Sequence, residues 1–302
     1  MLTFVGHVSV DKVSNPNGVK VQPGGACLYS ALAAKTLMKD VQIITAVGLD
    51  YPFKDVVFSN FSSIGVKLVN MPSTRFEIEY DGKWGAHYKV TFVGAGSKIL
   101  VRDVTRFPKS SHLHLSPMNP SKVLRMVKFA RERLPNATLS MSTCFHYLNS
   151  SNRRLVVKAA EDVDMVFLSE LEFLRLLDVR RFSMQAFKSL KSRMAILTLG
   201  DLGALVKEGD TIHFAPALMA TKKPKDVTGA GDTWCGAFLA SYALTKDATR
   251  SASVASIIAT IKCSGWGFEK LFDIRFKAVE EVFDYALSLA DKQPKLWDFL
   301  SK

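Results

Sequence analysis

The sequence predicts an α/β protein of three layers, a mainly parallel sheet with helices on both faces, plus a small antiparallel β element set apart from it. Three observations lead there. Strand-like β-branched runs alternate with helix-like runs through most of the 302 residues, the pattern of repeated crossover connections. The alternation lapses between about Arg75 and Val93, where two extended runs flank Asp81-Gly82-Lys83-Trp84-Gly85 with no helix between them, so a hairpin is expected. Glycine pairs stand where helices are expected to begin, at Gly24-Gly25 and at Gly229 and Gly231.

The elements follow in order. Leu2–Val8 reads as a first strand, and Gly24-Gly25 opens an Ala/Leu-rich helix through Met38. Val41–Val47 is a β-branched strand, followed by Phe53, Val56, Val57, Phe61 and Ile64 at helical spacing, one buried stripe. Val66–Val69 is again a strand. Arg75–Tyr80 and His87–Val93 form the hairpin, and Gly94-Ala95-Gly96 reads as a hinge back to the core. Strands are expected at His112–Leu115, Ala137–Met141, Met165–Leu168 and Met194–Leu199, with helices at Ser121–Leu134 and after Ser150. Ala204–Lys207 and Thr211–Ala215 pair around Glu208-Gly209-Asp210, and the rest is helical over Asp232–Leu244, Arg250–Cys263 and Phe276–Ala290. Residues 1–302 are expected to make one domain, with a β lid from about 11–21 and 73–95.

Composition narrows the function classes. Hydrophobic residues make up 48% of the chain, ordinary for a globular protein, and no apolar run approaches the ~20 residues of a membrane span. Met1–Val8 lacks the basic start and long apolar stretch of a signal peptide. Cys27, Cys144, Cys235 and Cys263 are scattered, without zinc or redox spacing. A reducing cytoplasm is the expected location. Net charge is +12, which favours anionic partners. The basic residues are dispersed and not interleaved with aromatics, so nucleic acid is not an expected partner. Lys222, Lys223 and Lys225 are placed to raise the potential for a polyphosphate.

The most informative stretch is Asp226-Val227-Thr228-Gly229-Ala230-Gly231-Asp232, running into a helix. A glycine pair at a helix start gathers backbone N–H groups and the positive end of the helix dipole at one point. Without Cβ atoms, Gly229 and Gly231 let an anion approach closely, and such a nest suits the spread charge of a phosphoryl group in transfer. Asp232 follows, where a carboxylate can accept a hydroxyl proton. Together they suggest phosphate moved onto an alcohol. Alone, the stretch also reads as an ordinary capped helix with Asp232 complementing the dipole.

This stretch closely resembles the C-terminal signature of the ribokinase-like (PfkB) carbohydrate and nucleoside kinases, and the likeness extends along nearly the whole chain. Gly24-Gly25 with the following small-residue helix and Val47-Gly48-Leu49-Asp50 is similar to the family's N-terminal signature. The resemblance implies a ribokinase-like core with a β lid, ATP and Mg2+ as cofactors, and a monovalent cation such as K+ near Ser264-Gly265-Trp266-Gly267. It implies Asp232 as catalytic base, Gly229, Ala230 and Gly231 as anion hole, and Asp11, Gly24, Gly25 and Tyr29 around the acceptor. Thr198, Gly200, Gly203 and Thr228 would contact nucleotide, and Glu172 would hold magnesium through water.

Two departures bear on the acceptor. Ser169 replaces the Asn of the family's Asn-x-x-Glu motif, losing an amide that is both donor and acceptor. Tyr29 stands where ribokinase-type members carry a sugar-contacting Asn, so the pocket must differ. The acceptor is thus a simple sugar, a nucleoside or a cyclic polyol such as inositol, with a non-catalytic sugar- or nucleotide-binding sensor as the alternative. An exposed edge of the lid sheet invites pairing with a second copy. P-loop, dinucleotide-binding, zinc-protease and serine-hydrolase motifs are absent from the sequence. His112 and His114 share one strand face but lack further donors, so a structural role is expected for them.

Overall fold

The computed structural model describes residues 1–217 and 224–291. Lys222 and Lys223 therefore lie outside the described residues. The chain begins β1 (Leu2–Val5), β2 (Ser9–Asn15), β3 (Gly18–Gly24), α1 (Ala26–Lys35), β4 (Val41–Gly48), α2 (Lys54–Phe58) and β5 (Val66–Val69). It continues β6 (Thr74–Tyr80), β7 (Ala86–Phe92), β8 (His112–Leu115), α3 (Pro120–Arg133), β9 (Thr138–Ser142), α4 (Arg153–Glu161) and β10 (Met165–Ser169). Then come α5 (Glu170–Leu177), α6 (Met184–Lys188), β11 (Met194–Thr198), β12 (Gly203–Glu208) and β13 (Thr211–Pro216). The helices α7 (Ala230–Thr245), α8 (Ala248–Cys263), α9 (Glu269–Phe272) and α10 (Glu280–Asp291) complete it.

Nine strands form one sheet in the order β13-β12-β11-β10-β9-β8-β1-β4-β5. Pairing is parallel from β11 through to β5, and only the β11-β12-β13 edge is antiparallel. Side chains alternate across this sheet, and the two faces bury different sets. Leu2, Phe4, Phe167 and Ile196 pack with residues of α1, α7 and α8. Val5, Leu115, Val166 and Leu197 pack with residues of α3, α4 and α5. This is the expected α/β architecture with helices on both faces.

The second sheet has the order β3-β2-β6-β7. Its hairpin of β6 and β7 is the one the Asp81–Gly85 turn predicts, a second antiparallel hairpin of β2 and β3 was not read from the sequence, and the two join through a parallel pairing of β2 with β6, Asp11 opposite Phe76. Because β1 stops at Val5, the chain turns at Gly6 and leaves the core sheet. The strand expected to run to Val8 is thereby split. Asp11, which begins the expected lid, lies inside β2.

Other expectations shift. The stripe from Phe53 to Ile64 is not one helix: α2 spans only Lys54–Phe58, and Ile64, 60% exposed, sits in a 3-10 turn whose N–H donates to Ser62 Oγ. The helix closes at its C-cap Ser59 and Ser62 caps the separate 3-10 turn, so the apolar spacing runs across two elements. Gly94-Ala95-Gly96 is part of a 3-10 turn over Gly94–Lys98, where Ala95 N–H donates to Pro72 O at 2.8 Å. His112 and His114 are buried and share Ser140 Oγ at 2.8 and 2.9 Å. Among the described residues, no helix is long and apolar enough to cross a membrane.

Candidate active site

The site forms where β2, the β3–α1 joint and the start of α7 meet. Helices α1 and α7 are rich in small residues, so their backbones come close: a Cβ on Gly236 would stand 1.9 Å from the Ser30 carbonyl oxygen. Ser30 Oγ donates to Asp232 O at 2.9 Å, tying one helix to the other's first turn.

Gly229 caps α7 with φ 70, a left-handed conformation that suits glycine. The first amides of a helix have no intrahelical partner. Ala230 N–H turns back to Val227 O at 3.0 Å, so the Gly231 and Asp232 amides are the ones that follow it in the open first turn. Gly231 is exposed, with nothing within 4 Å of where a Cβ would stand. An anion has room there.

Asp232 is half-buried in that turn. Burial pushes its carboxyl up to about 6, against an opposing pull from the Lys262 ammonium. Asp11, 2% exposed, accepts from Ser9 Oγ at 2.6 Å. Burial raises its carboxyl to about 7, opposed by the Ser9 bond and reinforced by the Asp226 charge. Gly24 makes the approach possible: a Cβ there would lie 1.8 Å from Asp11 Oδ2. Gly25 is the N-cap of α1.

Tyr29 is 1% exposed. Its ring packs beneath Gly229 and against Phe268, centroids 4.3 Å apart, and its phenol oxygen receives Gln22 Nε2 at 3.3 Å. The geometry places it under the glycine turn. Asp226 is fully buried and accepts from Thr228 N–H at 2.8 Å, Gln22 Nε2 at 3.0 Å and Gly267 N–H at 3.0 Å.

Ser169 and Glu172 form a capping box on α5: Ser169 N–H donates to Glu172 Oε2 at 2.8 Å, and Glu172 N–H to Ser169 Oγ at 3.4 Å. Burial raises the Glu172 carboxyl to about 7, the two Ser169 hydrogen bonds oppose it, and the Asp232 charge adds to the rise. Thr198 ends β11 with its hydroxyl on Leu168 O at 3.4 Å. Gly200, with φ 62, opens the exposed turn to Gly203. Trp266 N–H donates to Glu269 Oε2 at 3.1 Å.

Sequence reasoning missed several groups here. Gln22, two residues before the glycine pair, joins Asp226 to Tyr29. Tyr80 and Tyr88 come from β6 and β7 and stand close enough to Asp11 and Asp232 to feel both charges. The Tyr88 ring meets His146 edge-on at 5.2 Å, His146 meets Phe145 at 5.4 Å, and the Arg175 guanidinium covers Phe145 at 3.9 Å. Asn15 Nδ2 donates to Lys225 O at 3.1 Å and Asn17 Nδ2 to Pro224 O at 3.0 Å, while Lys20 pairs with Glu269. The one visible signal was Lys262, a charge in the last turn of a small-residue helix.

The pattern of the pfkB family of carbohydrate kinases matches residues 2–268. The chain belongs to this family. Its members named as relatives include a cytidine kinase of Thermococcus kodakarensis, 24% identical over 248 residues, covering 80% of this chain and 88% of that protein. A ribokinase of Lactococcus lactis subsp. lactis is 26% identical over 306 aligned positions, covering 92% of this chain and 97% of that protein. Among solved structures, a Burkholderia thailandensis nucleoside kinase in complex with ADP-inosine superposes with a TM-score of 0.79 at 16% identity, covering 95% of this chain and 96% of that one. This pfkB chain is an ATP-dependent carbohydrate or nucleoside kinase.

Proposed function

We propose that this kinase moves the γ-phosphate of ATP to an alcohol group of a nucleoside, with Asp232 as general base. The observation that carries it is one placement: the Asp232 carboxylate stands in the open first turn of α7, directly after Gly231, where the helix start receives an anion. With its carboxyl near 6, Asp232 is ionised at neutral pH yet more basic than an ordinary aspartate. It takes the proton as the substrate oxygen attacks, and the Gly229–Gly231 turn holds the charge on the phosphoryl group.

Asp11 holds acceptor hydroxyls, since a carboxyl on this narrow glycine-lined edge suits a vicinal diol. Thr198, Gly200, Gly203 and Thr228 border the nucleotide, Gly200 from an exposed turn with nothing within 4 Å of where a Cβ would stand. The second sheet acts as a lid that excludes water from the competing hydrolysis.

Support for a nucleoside over a bare sugar or inositol comes from the aromatic side of the site. Tyr80 and Tyr88, with His146 and Phe145 beyond, offer ring faces suited to a base. The relatives are a cytidine kinase and a ribokinase, so both parts of a nucleoside have a precedent in the family.

Magnesium fits these residues. Among the described residues, no group of three or more His, Cys, Asp or Glu side chains stands together to hold a metal. Mg2+ bound to a nucleotide keeps several waters and needs only one or two carboxylates. Glu172, with one carboxylate oxygen engaged by Ser169 N–H, would reach it through water. When bound, the metal neutralises phosphate charge.

The test is ADP release with Mg-ATP and cytidine, inosine, ribose, fructose or myo-inositol, beside an Asp232→Asn control. Nucleoside-dependent ADP that disappears in the control is expected. Turnover with ribose, fructose or inositol but with neither nucleoside would refute the acceptor, and near-normal turnover in the control would refute the base.

A further inference from the structure

The charge near the end of α8 has a place that the transfer of phosphate does not explain. The Lys262 side chain is wholly buried, and so is that of its partner Asp226. Its ammonium donates to Asp226 O at 2.8 Å and lies 3.4 Å from Asp226 Oδ2. It also stands 5.3 Å from the centroid of the Tyr29 ring, the same ring that packs beneath Gly229. A positive charge is thus seated behind the glycine turn, separated from it by one aromatic ring.

Burial at this depth is costly for an ion pair, and a well-packed apolar pair of similar volume is often at least as stable. Stability therefore gives no reason for a lysine here. In a region closed to water, however, a fixed charge acts over longer distances than at a surface. The Asp226 carboxylate is met by three further donors, Thr228 N–H, Gln22 Nε2 and Gly267 N–H. Asp226 is thereby held ionised: burial raises its carboxyl, yet Lys262 and these donors bring it below the ordinary range.

The resemblance to ribokinase-like kinases implies a monovalent cation in this region, and the residues do not fit one. Such an ion needs several oxygens turned toward it. The Asp226 carbonyl and one carboxylate oxygen are turned to the Lys262 ammonium, and the Cys263 carbonyl is occupied by Lys225 N–H at 2.7 Å and Asp226 N–H at 3.3 Å. These oxygens already serve protein donors.

We infer that Lys262 is a built-in cation for the phosphate cradle, a positioning residue that takes the part of a monovalent ion, and that this kinase neither binds nor requires K+. The inference rests on the reading of Gly229–Gly231 as the cradle. Through its bond to the Asp226 carbonyl the ammonium orders the start of the Asp226–Asp232 segment. Through the Tyr29 ring its charge supports the open end of α7, where negative charge gathers in transfer.

The first measurement uses the wild-type protein in KCl and in N-methyl-D-glucamine chloride at equal ionic strength. Melting temperature and ATP affinity by calorimetry should agree between the salts, affinity within about twofold. A K+-specific rise in either overturns the inference, whether or not turnover is detected. Failure to bind ATP in both salts would instead strike the kinase reading. The second uses Lys262→Met, checked for folding by its melting transition. Its kcat should fall about tenfold or more while acceptor KM stays within about twofold. A folded Lys262→Met protein with wild-type kcat overturns the inference; if that variant does not fold, the two salts still decide.

Discussion

The Tyr29 ring fills the space beneath Gly229 so closely that a Cβ on Gly229 would stand 2.4 Å from Tyr29 Cγ and Cδ2. The left-handed φ of 70 at Gly229 and this aromatic floor are one arrangement. The chain bends sharply because nothing projects from Gly229, and Tyr29 supports the bend from below.

Gly229→Ala should therefore meet two obstacles together, a disfavoured backbone conformation and a ring that cannot retreat. A stability loss on the order of 1–3 kcal/mol is expected, with kcat reduced more than acceptor binding. Combined with Tyr29→Ala, itself destabilising because it empties a buried ring, the total loss should be smaller than the sum of the two, because the clash is removed while the φ cost stays. Chemical denaturation of the single and double variants checks this; simple additivity would mean that the ring is not the obstacle.

Asp232→Asn should change stability in a pH-dependent way. The folded chain raises the carboxyl from 3.8 to about 6, so between those values it holds more protons than the unfolded chain. Stability of the wild type falls as pH rises through that window, and Asn has no such term. The variant should thus gain on the wild type from pH 4 to pH 8, by on the order of 1 kcal/mol after allowing for partial exposure. Denaturant midpoints across pH test the sign.

The rate profile should show its acid limb near the same place. If Asp232 must be ionised to take the hydroxyl proton, kcat/KM falls as pH drops through about 6. Asp11 and Glu172, both raised to about 7, couple to it, so the limb should be broader than a single titration. A flat profile from pH 5 to pH 8, with chemistry limiting, would count against Asp232 as base.

The straps from β2–β3 to the core should matter to lid closure. Asn17 Nδ2 reaches both the Pro224 and Lys225 carbonyls at 3.0 Å, just before the glycine turn. Asn17→Ala should raise acceptor KM several-fold, about threefold or more, and increase ADP release without acceptor, since water gains entry. Melting temperature should move little because Asn17 is exposed. Unchanged KM and unchanged background hydrolysis would show that the strap does not gate the site.

Much of this protein was legible from residues alone because the signals are local. The alternation that orders β8 to β11 with their helices, the Asp81–Gly85 turn and the glycine start of α7 each depend on near neighbours in sequence, where backbone sterics and side-chain period act directly. Even so, α5 went unread: its start is a Ser169–Glu172 capping box, while Ser169 was weighed only as a departure from a ligand motif and Glu172 only as a residue holding magnesium through water.

The remaining features belong to tertiary structure. The Lys262–Asp226 pair joins residues 36 apart, and Asn15 meets the Lys225 carbonyl across 210. Tyr29 read as an acceptor contact because only its sequence place was visible. That its ring also packs beneath Gly229 follows from the packing of α1 against α7. Sequence by itself determined the layered fold, the family and the glycine turn followed by Asp232, since each is written in local order. Which buried charge stands behind the glycine turn, and which side chains of the second sheet reach the core, was decided only by close packing, because such contacts form between segments whose separation in the chain carries no periodic signal.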